Sequence, residues 1–287
     1  MLGDNDLEDI NIDGTGTDAT TGIMAENTQN IMLENVTIAN YTALTGMDAT
    51  GAEFNNVDNL DLDSVVVENI KGSDGADGAT GDNGADTTTG TADNGSQGTA
   101  GESGGNATGI NITNSTDVNL NNVTVTNIYA GNGGNSGNGG QGGDANTSNS
   151  NDYGDKNPVV LMAGDGGDGN HGGDGGSATG VVINNSTAFI SNSNITHIYA
   201  GSGGNGGSAG LGGDSNSSNF DGTYHLYYDT YAGEAGSGGQ GGDAGSGGDV
   251  VGINNVSSNV RIDNVQISYL IAGNGGNGGY LSLIHIS

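Results

Sequence analysis

Residues 118–143, VNLNNVTVTNIYAGNGGNSGNGGQGG, contain both of the patterns that decide the fold of this chain. The first part, Val118 to Ile128, places apolar residues at alternating spacings of two and three. A spacing of two puts both side chains on one face of a β-strand, whereas a helix would need spacings of three and four throughout. The second part has glycine at every third residue from Gly131 onward. This stretch therefore predicts short strands separated by bends, followed by an extended glycine-rich segment.

The apolar spacing occurs in five copies along the chain, and most copies are preceded by a glycine and a further apolar residue. A single copy cannot bury its own apolar face, so successive copies are expected to stack around a shared core. We therefore predict an all-β fold, a right-handed parallel β-helix with three short strands in each turn. The five copies begin at Ile31, Leu60, Val118, Ala188 and Val260.

Asparagine precedes many of the apolar positions, as at Asn35, Asn122 and Asn264. Asparagine tolerates left-handed backbone angles, and its amide forms hydrogen bonds with nearby backbone groups. We expect these residues to occupy the bends and to form ladders from turn to turn. The alternative is N-glycosylation, because several asparagines stand in Asn-x-Ser/Thr, including Asn114 and Asn185.

The glycine-rich segments keep a period of three, which a flexible linker does not need. Collagen has this period but requires proline, and the chain has one proline. We therefore predict polyglycine-II helices with three residues per turn, running out and back antiparallel and bonded to one another. The first insertion is mostly Gly-x-x and the later ones are mostly Gly-Gly-x. We expect the first insertion at the edge of the bundle and the others inside it.

These two patterns divide the chain into alternating segments. The remainder, 281–287, breaks both composition and period, so we expect a non-native tail on a fragment of a longer protein. The β-helix turns are expected at 1–71, 107–130, 178–200 and 250–272, the insertions at 72–106, 131–177 and 201–249, and the start of another insertion at 273–280.

The charge of the chain is strongly acidic, with 34 acidic and 3 basic residues and a net charge of -31. Such a surface repels nucleic acid and anionic lipid, so we expect no nucleic-acid partner and no membrane insertion. The chain has no cysteine, and its four histidines are scattered. We expect no cofactor and no bound metal, apart from calcium held loosely at Asp165, Asp168 and Asp174.

The turns resemble the right-handed parallel β-helix repeats of adhesin-like surface proteins from archaea and bacteria. The glycine tracts are similar to the polyglycine-II bundles of snow-flea antifreeze protein and of glycine-rich phage adhesins. The resemblance implies an extracellular or cell-surface location, with recognition in the loops that join the glycine helices. The least repetitive parts of the insertions are such loops, and their aromatic residues suit a cell-surface glycan or protein as partner. The predicted binding residues are Tyr153, Phe220, Tyr224, His225, Tyr227, Tyr228 and Tyr231.

These observations together predict a non-enzymatic, adhesin-like structural protein with recognition at the tips of the insertions. The aromatic residues would otherwise only pack against one another at the end of the bundle. An ice-binding protein is one alternative function, because such proteins use flat, regular faces of short residues. A polysaccharide-acting β-helix enzyme is the least favoured alternative. Asp61 and Asp63 are paired, but they stand at outward positions without another convergent group.

Overall fold

The computed structural model describes residues 5–88, 90–146, 161–216 and 234–281. In these ranges all regular secondary structure consists of β-strands, and the paired strands are parallel. The predicted all-β chain of parallel strands is confirmed. Of the predicted tail 281–287, only Leu281 falls within the described residues.

Seventeen strands follow one another along the chain, and they are numbered here in sequence order. They are β1 (Asn5–Glu8), β2 (Asn11–Asp13), β3 (Thr21–Glu34), β4 (Thr37–Thr42), β5 (Ala49–Asp63), β6 (Val66–Lys71), β7 (Ala107–Thr113), β8 (Thr116–Asn121), β9 (Thr124–Tyr129), β10 (Ala145–Asn146), β11 (Ala178–Asn184), β12 (Thr187–Ser191), β13 (Asn194–Tyr199), β14 (Ser215–Asn216), β15 (Val250–Val256), β16 (Asn259–Asp263) and β17 (Gln266–Ile271).

Two large sheets stack equivalent strands from successive repeats. The first has the order β15-β11-β7-β5-β8-β12-β16, with β3 and β1 joined at β5, and the second has the order β17-β13-β9-β6-β4-β2. The long β5 pairs with β7 through its first half and with β8 through its second half. In the second sheet, the apolar positions align in register, so that Val67 pairs with Val125, which pairs with Ile195. The apolar spacing of the sequence therefore sets the register between repeats.

The inward side chains form one continuous hydrophobic core drawn from both sheets. Phe54, Ile112 and Ile183 stack in adjacent strands of the first sheet, and each is completely buried. Burying one such side chain contributes roughly 1.5–3 kcal/mol relative to leaving it exposed. Repetition of this contact along the stack therefore holds the strands together.

One glycine in each repeat lies where the first strand passes close to the third. A Cβ atom on Gly109 would lie 2.4 Å from Val125 Cγ1 and 2.5 Å from the Gly180 carbonyl oxygen. No side chain fits at that distance. The glycines that precede the apolar copies are therefore required by packing between strands.

The predicted asparagine ladders are confirmed at most bends. Asn35, Ser64, Asn122, Asn192 and Asn264 share one bend and have φ between 48° and 58°. Asn264 Nδ2 donates to Asn192 Oδ1 at 2.8 Å. At the residue before the first apolar position of each repeat, Asn30, Asn59 and Asp117 have the left-handed backbone, whereas Thr187 and Asn259 do not. The sequence analysis missed a further ladder, which comprises Asn27, Asn56, Asn114, Asn185 and Ser257.

Buried serines form hydrogen bonds that the apolar pattern did not predict. Ser193 stands at an apolar position of the repeat, and its hydroxyl accepts the Val123 N–H at 3.1 Å and donates to the Ser191 carbonyl at 2.7 Å. In another bend, Ser115 accepts the Val57 N–H at 3.1 Å. Because both hydrogen-bonding functions are satisfied, these hydroxyls are tolerated in the core.

The glycine tracts lie in a hydrogen-bonded array beside the strands. The outgoing tracts are 72–86, 131–144, 201–214 and 273–280, and the return tracts are 92–105, 163–176 and 235–248. Successive outgoing tracts are bonded in parallel register, as where Gly78 N donates to Asn135 O at 2.7 Å. The outgoing and return tracts of one insertion are bonded in antiparallel register, as where Thr99 N donates to Ala79 O at 2.9 Å and Gly167 N donates to Gly140 O at 2.8 Å. Each insertion that continues past its tip therefore returns beside its own outgoing tract.

The two glycines of a Gly-Gly-x triplet inside the array face two different neighbouring tracts. In the tract 131–144, a Cβ on Gly133 would lie 1.9 Å from Gly173 O, and a Cβ on Gly134 would lie 2.0 Å from Ala76 O. These two atoms belong to different neighbours. The tract 72–86 is bonded to 131–144 and to its own return tract, and it lies at one edge of the array. The outgoing tract of the first insertion therefore lies at an edge of the array, whereas its return tract is bonded to 72–86, 131–144 and 163–176.

In several triplets, the side chain of the residue outside the glycine positions accepts a hydrogen bond that links adjacent tracts. Asn135 N donates to Asp77 Oδ1 at 2.7 Å, Asn205 N donates to Asn135 Oδ1 at 3.0 Å, and Asn277 N donates to Asn205 Oδ1 at 2.8 Å. A side-chain oxygen at this position satisfies a backbone N–H of the adjacent tract. This explains why asparagine and aspartate recur outside the glycine positions.

Candidate functional site

The predicted binding residues of the tips lie outside the described residues. The structure describes the chain on both sides of the two tip segments, 147–160 and 217–233. The residues that flank the two tip segments therefore provide the structural information about this site. The residues concerned are Tyr153, Phe220, Tyr224, His225, Tyr227, Tyr228 and Tyr231.

The two tip segments begin side by side. The outgoing tracts end in β10 and β14, which pair in parallel through Ala145 with Ser215 and Asn146 with Asn216. Thr87 of the first insertion forms a bridge to Ala145 on the other side. The three outgoing tracts are therefore held together at their far end.

The return sides of the same segments are joined in a similar way. Met162 bridges Thr91 and Glu234, and Ala163 N donates to Glu234 O at 3.0 Å. A small buried apolar cluster underlies these bridges, formed by Ala92, Ala145, Leu161 and Ala163. We call residues 87, 91–92, 145–146, 161–163, 215–216 and 234 the tip platform. Its residues show no motif in the sequence beyond the end of the glycine period.

Aspartates line the outgoing side of the tip platform in a row. Asp144 N donates to Asp86 Oδ1, and Asp214 N donates to Asp144 Oδ1, both at 2.8 Å. These carboxylates form a row across the ends of three tracts and make the approach to the tips acidic. Across the described ranges, no group of three or more His, Cys, Asp or Glu side chains is placed to hold a metal ion.

The three aspartates considered for calcium lie along one return tract. Each carboxylate accepts the backbone N–H of a residue in the adjacent return tract, as where Asp174 Oδ1 accepts from Ser246 N at 2.7 Å. The backbone and side-chain hydrogen bonds from Ser246 lower the pKa of Asp174 below its ordinary value. The structure therefore places Asp165, Asp168 and Asp174 in a row of acceptors for the next tract.

The paired aspartates of the enzyme alternative lie on the outer surface of β5. Asp61 Oδ1 accepts from Asn119 Nδ2 at 2.9 Å, and Asp63 Oδ1 accepts from Asn121 Nδ2 at 3.1 Å. These contacts extend the polar ladder from repeat to repeat. Both side chains therefore take part in hydrogen bonds between strands.

A second candidate surface, which the sequence analysis missed, lies on the outer face of the second sheet. Tyr129 and Tyr199 stack with ring centroids 5.0 Å apart, and His197 and Tyr269 stack with centroids 4.7 Å apart. We call these four residues the aromatic ladder. The signal for it was present in the sequence, because Tyr129 and Tyr199 each follow the last apolar residue of a repeat.

No helix in the described part of the chain has the length and apolar character required to cross a lipid bilayer.

No protein-family model and no curated protein matches this chain. Among solved structures, the chain is similar to the springtail antifreeze protein of Granisotoma rainieri, described as a nine polyproline type II helical bundle. The identity is 22%, over 61% of this chain and 92% of that one, with a TM-score of 0.09. At that score the likeness carries no argument about fold or function.

Proposed function

We propose that this chain is a non-enzymatic, adhesin-like structural protein, secreted or displayed on a cell surface, with recognition at the insertion tips. The observation that carries this proposal is the pairing of β10 with β14, which starts the two tip segments side by side, one with Tyr153 and the other rich in aromatic residues. Loops held on a rigid scaffold are common sites of recognition. A cell-surface glycan or protein is the proposed partner.

The scaffold in this proposal is a right-handed parallel β-helix. Its support is the equal register of equivalent strands in successive repeats, with three strands in each repeat from β7 onward. The insertions leave after the last strand of four repeats, immediately after β6, β9, β13 and β17. Insertions that leave stacked strands at equivalent positions are able to stack in the same order.

The insertions in this proposal are polyglycine-II helices. Such a helix has no internal hydrogen bonds, so all three N–H groups of a triplet need outside acceptors. The triplet 133–135 meets this requirement: Gly133 N donates to Ser202 O, Gly134 N donates to Glu102 O, and Asn135 N donates to Asp77 Oδ1. At about 3.1 Å per residue, the 13 residues from 131 to 143 would hold the tip platform roughly 40 Å from the strands.

The two tip segments together form the proposed binding surface. Their roots are fixed twice, by the pairing of β10 with β14 and by the bridges at Met162. Fixing both ends of a loop reduces the conformational entropy that binding must overcome. Tyrosine supplies large contact area and a polar hydroxyl in the same side chain, which suits glycans and protein surfaces.

A binding screen against glycans and whole cells tests the proposal. The tip variant changes Tyr224, Tyr227, Tyr228 and Tyr231 to serine, and Tyr280→Ser is the control because its side chain is 83% exposed and distant in sequence from the tips. We expect the parent and the control to bind alike, and the tip variant to bind at least about tenfold more weakly, since each lost aromatic contact is worth roughly 1 kcal/mol. Unchanged binding by the tip variant contradicts tip recognition.

The same purified protein decides between the adhesin and its two alternatives. Thermal hysteresis at millimolar concentration would support the ice-binding alternative in place of adhesion. Release of reducing ends from polysaccharides would support the enzyme alternative, and Asp61→Asn would then be expected to abolish it. We expect neither activity.

A further inference from the structure

Two residues of the aromatic ladder, His197 and Tyr269, continue an asparagine ladder, at a left-handed bend where a tyrosine is unfavourable. Asn40, Asn69, Asn127, His197 and Tyr269 occupy the same bend in successive repeats, with φ between 53° and 63°. Asparagine is one of the few residues other than glycine that adopts this left-handed region readily, whereas a bulky side chain there is an outlier. Backbone outliers of this kind are found at binding and catalytic sites. The change from asparagine to rings therefore indicates a role other than forming the bend.

The rings of the aromatic ladder lie outside the hydrophobic core. Tyr269 is 66% exposed and Tyr129 is 37% exposed, and both rings project from the outer face of the second sheet. Tyr129 and Tyr199 lie side by side in register, one strand apart. The four rings thus form a strip across β9, β13 and β17, exposed at Tyr129 and Tyr269 and half-buried at His197 and Tyr199.

A groove extends this strip toward the first strands of the same sheet. It has a volume of about 490 Å³, and its lining includes Thr15, Thr42, Asn69, Lys71 and Tyr129. Tyr129 belongs to both the groove and the aromatic ladder, so the two surfaces are continuous. No carboxylate belongs to the described lining, although the chain carries 34 acidic residues.

The chemistry of this surface fits a polyhydroxylated ligand with apolar ring faces. Tyrosine rings present flat apolar surfaces, while threonine hydroxyls, asparagine amides and one ammonium group supply donors and acceptors. Lys71 is partly engaged, with Nζ 3.8 Å from Asp74 Oδ2. The net charge of -31 disfavours a polyanion. Both features favour a neutral carbohydrate over an acidic one.

We propose that the outer face of the second sheet binds a neutral polysaccharide chain, which lies across the strands from the Thr15 groove to Tyr269. The six strands of this sheet give a path of roughly 24 Å at about 4.8 Å between neighbours. This site lies on the strands and is separate from the tips. It would give the protein a second contact with a polysaccharide-rich surface.

The test uses native gel electrophoresis through gels that contain a soluble neutral polysaccharide, with laminarin, dextran and galactomannan as probes. Polygalacturonate is the acidic probe. The ladder variant, His197→Asn with Tyr269→Asn, restores the residue type that suits the left-handed backbone. Binding to the polysaccharide slows the protein in the gel. We expect the ladder variant to unfold at a temperature equal to or above that of the parent. Its dissociation constant for the neutral polysaccharide that slows the parent should rise at least tenfold. A purely structural role predicts lower thermal stability with unchanged retardation.

A second variant, Tyr129→Thr, interrupts the strip at the groove and keeps a residue suited to a strand. It should also weaken retardation, whereas the tip variant should be retarded like the parent. Loss of retardation in the tip variant alone would overturn this proposal and leave tip recognition standing. Absence of retardation by all three neutral probes, or retardation by polygalacturonate alone, would also overturn it.

Discussion

The packing of the glycine array makes opposite predictions for two glycines in the same local sequence. Gly139 and Gly278 each occupy the middle position of Asn-Gly-Gly. A Cβ on Gly139 would lie 1.9 Å from Gly167 O, whereas the nearest atom to a Cβ on Gly278 is Gly242 O at 3.9 Å. Alanine at Gly278 therefore fits without movement. Alanine at Gly139 would force two tracts apart.

The size of the effect follows from the contacts that would be lost. Ordinary carbon contacts are about 3.5 Å or longer, so the tract 163–176 would have to move by more than about 1 Å. Such a shift breaks bonds such as Gly167 N to Gly140 O, now at 2.8 Å. Two lost backbone hydrogen bonds at about 1 kcal/mol each, with roughly 1–3 kcal/mol of overpacking strain, give a destabilisation of roughly 3–5 kcal/mol for Gly139→Ala. For Gly278→Ala we expect a change of less than about 1 kcal/mol.

Amide hydrogen exchange measured by mass spectrometry suits this comparison, because a repetitive chain need not unfold in one step. Gly139→Ala should lower the protection of the amides in 131–144 and 163–176, and it should leave the core strands less affected. Gly278→Ala should exchange like the parent. Equal protection in the two variants would show that the tracts do not pack as closely as these distances require.

Three further predictions follow from individual contacts. Asn277 should deamidate faster than Asn138 on ageing at pH 8. Deamidation requires the backbone nitrogen of the following glycine to attack the asparagine side chain, and at Gly139 this N–H is hydrogen-bonded to the Ser208 carbonyl at 2.9 Å. Peptide mass spectrometry measures both rates, and equal rates would contradict the bonding pattern. Asn192→Ala should destabilise the chain by about 1–2 kcal/mol and Asn192→Gly by less, because glycine accepts its φ of 48° without strain; urea unfolding compares them, and a more stable alanine variant would be unexpected. Ser246→Ala should raise the pKa of Asp174 toward its ordinary value, because one of the two hydrogen bonds that lower it is removed. The stabilisation from a lowered carboxylate pKa is present above the unfolded value of 3.8 and is lost as pH falls through the folded value. The stability of the variant should therefore fall less on acidification than that of the parent. An unchanged NMR titration of Asp174 would contradict this prediction.

The residues of each strand could be assigned from the sequence because their information is local. The alternation of apolar positions in Val118–Ile128 identifies one face of a strand, and the left-handed preference of Asn122 identifies the following bend. Glycine every third residue likewise implies a tract whose glycine side meets a neighbour. In the tracts 131–144, 163–176 and 201–214, the extra glycine of a Gly-Gly-x triplet faces a second neighbouring tract, which leaves no room for a Cβ atom. The same pattern at Gly275 and Gly278 faces no close neighbour.

Relationships between segments far apart in the chain were decided by the tertiary structure. The role of Asn135 as acceptor for Asn205 depends on two insertions being bonded in register across 70 residues. The stacking of Tyr129 on Tyr199 and the pairing of Ala145 with Ser215 depend on the same stacking of repeats. Spacing within the sequence determined which side of each segment is apolar or glycine-lined, because that depends on backbone geometry alone. Which outward side chains meet was decided only when the repeats stacked, because those contacts join atoms of different turns.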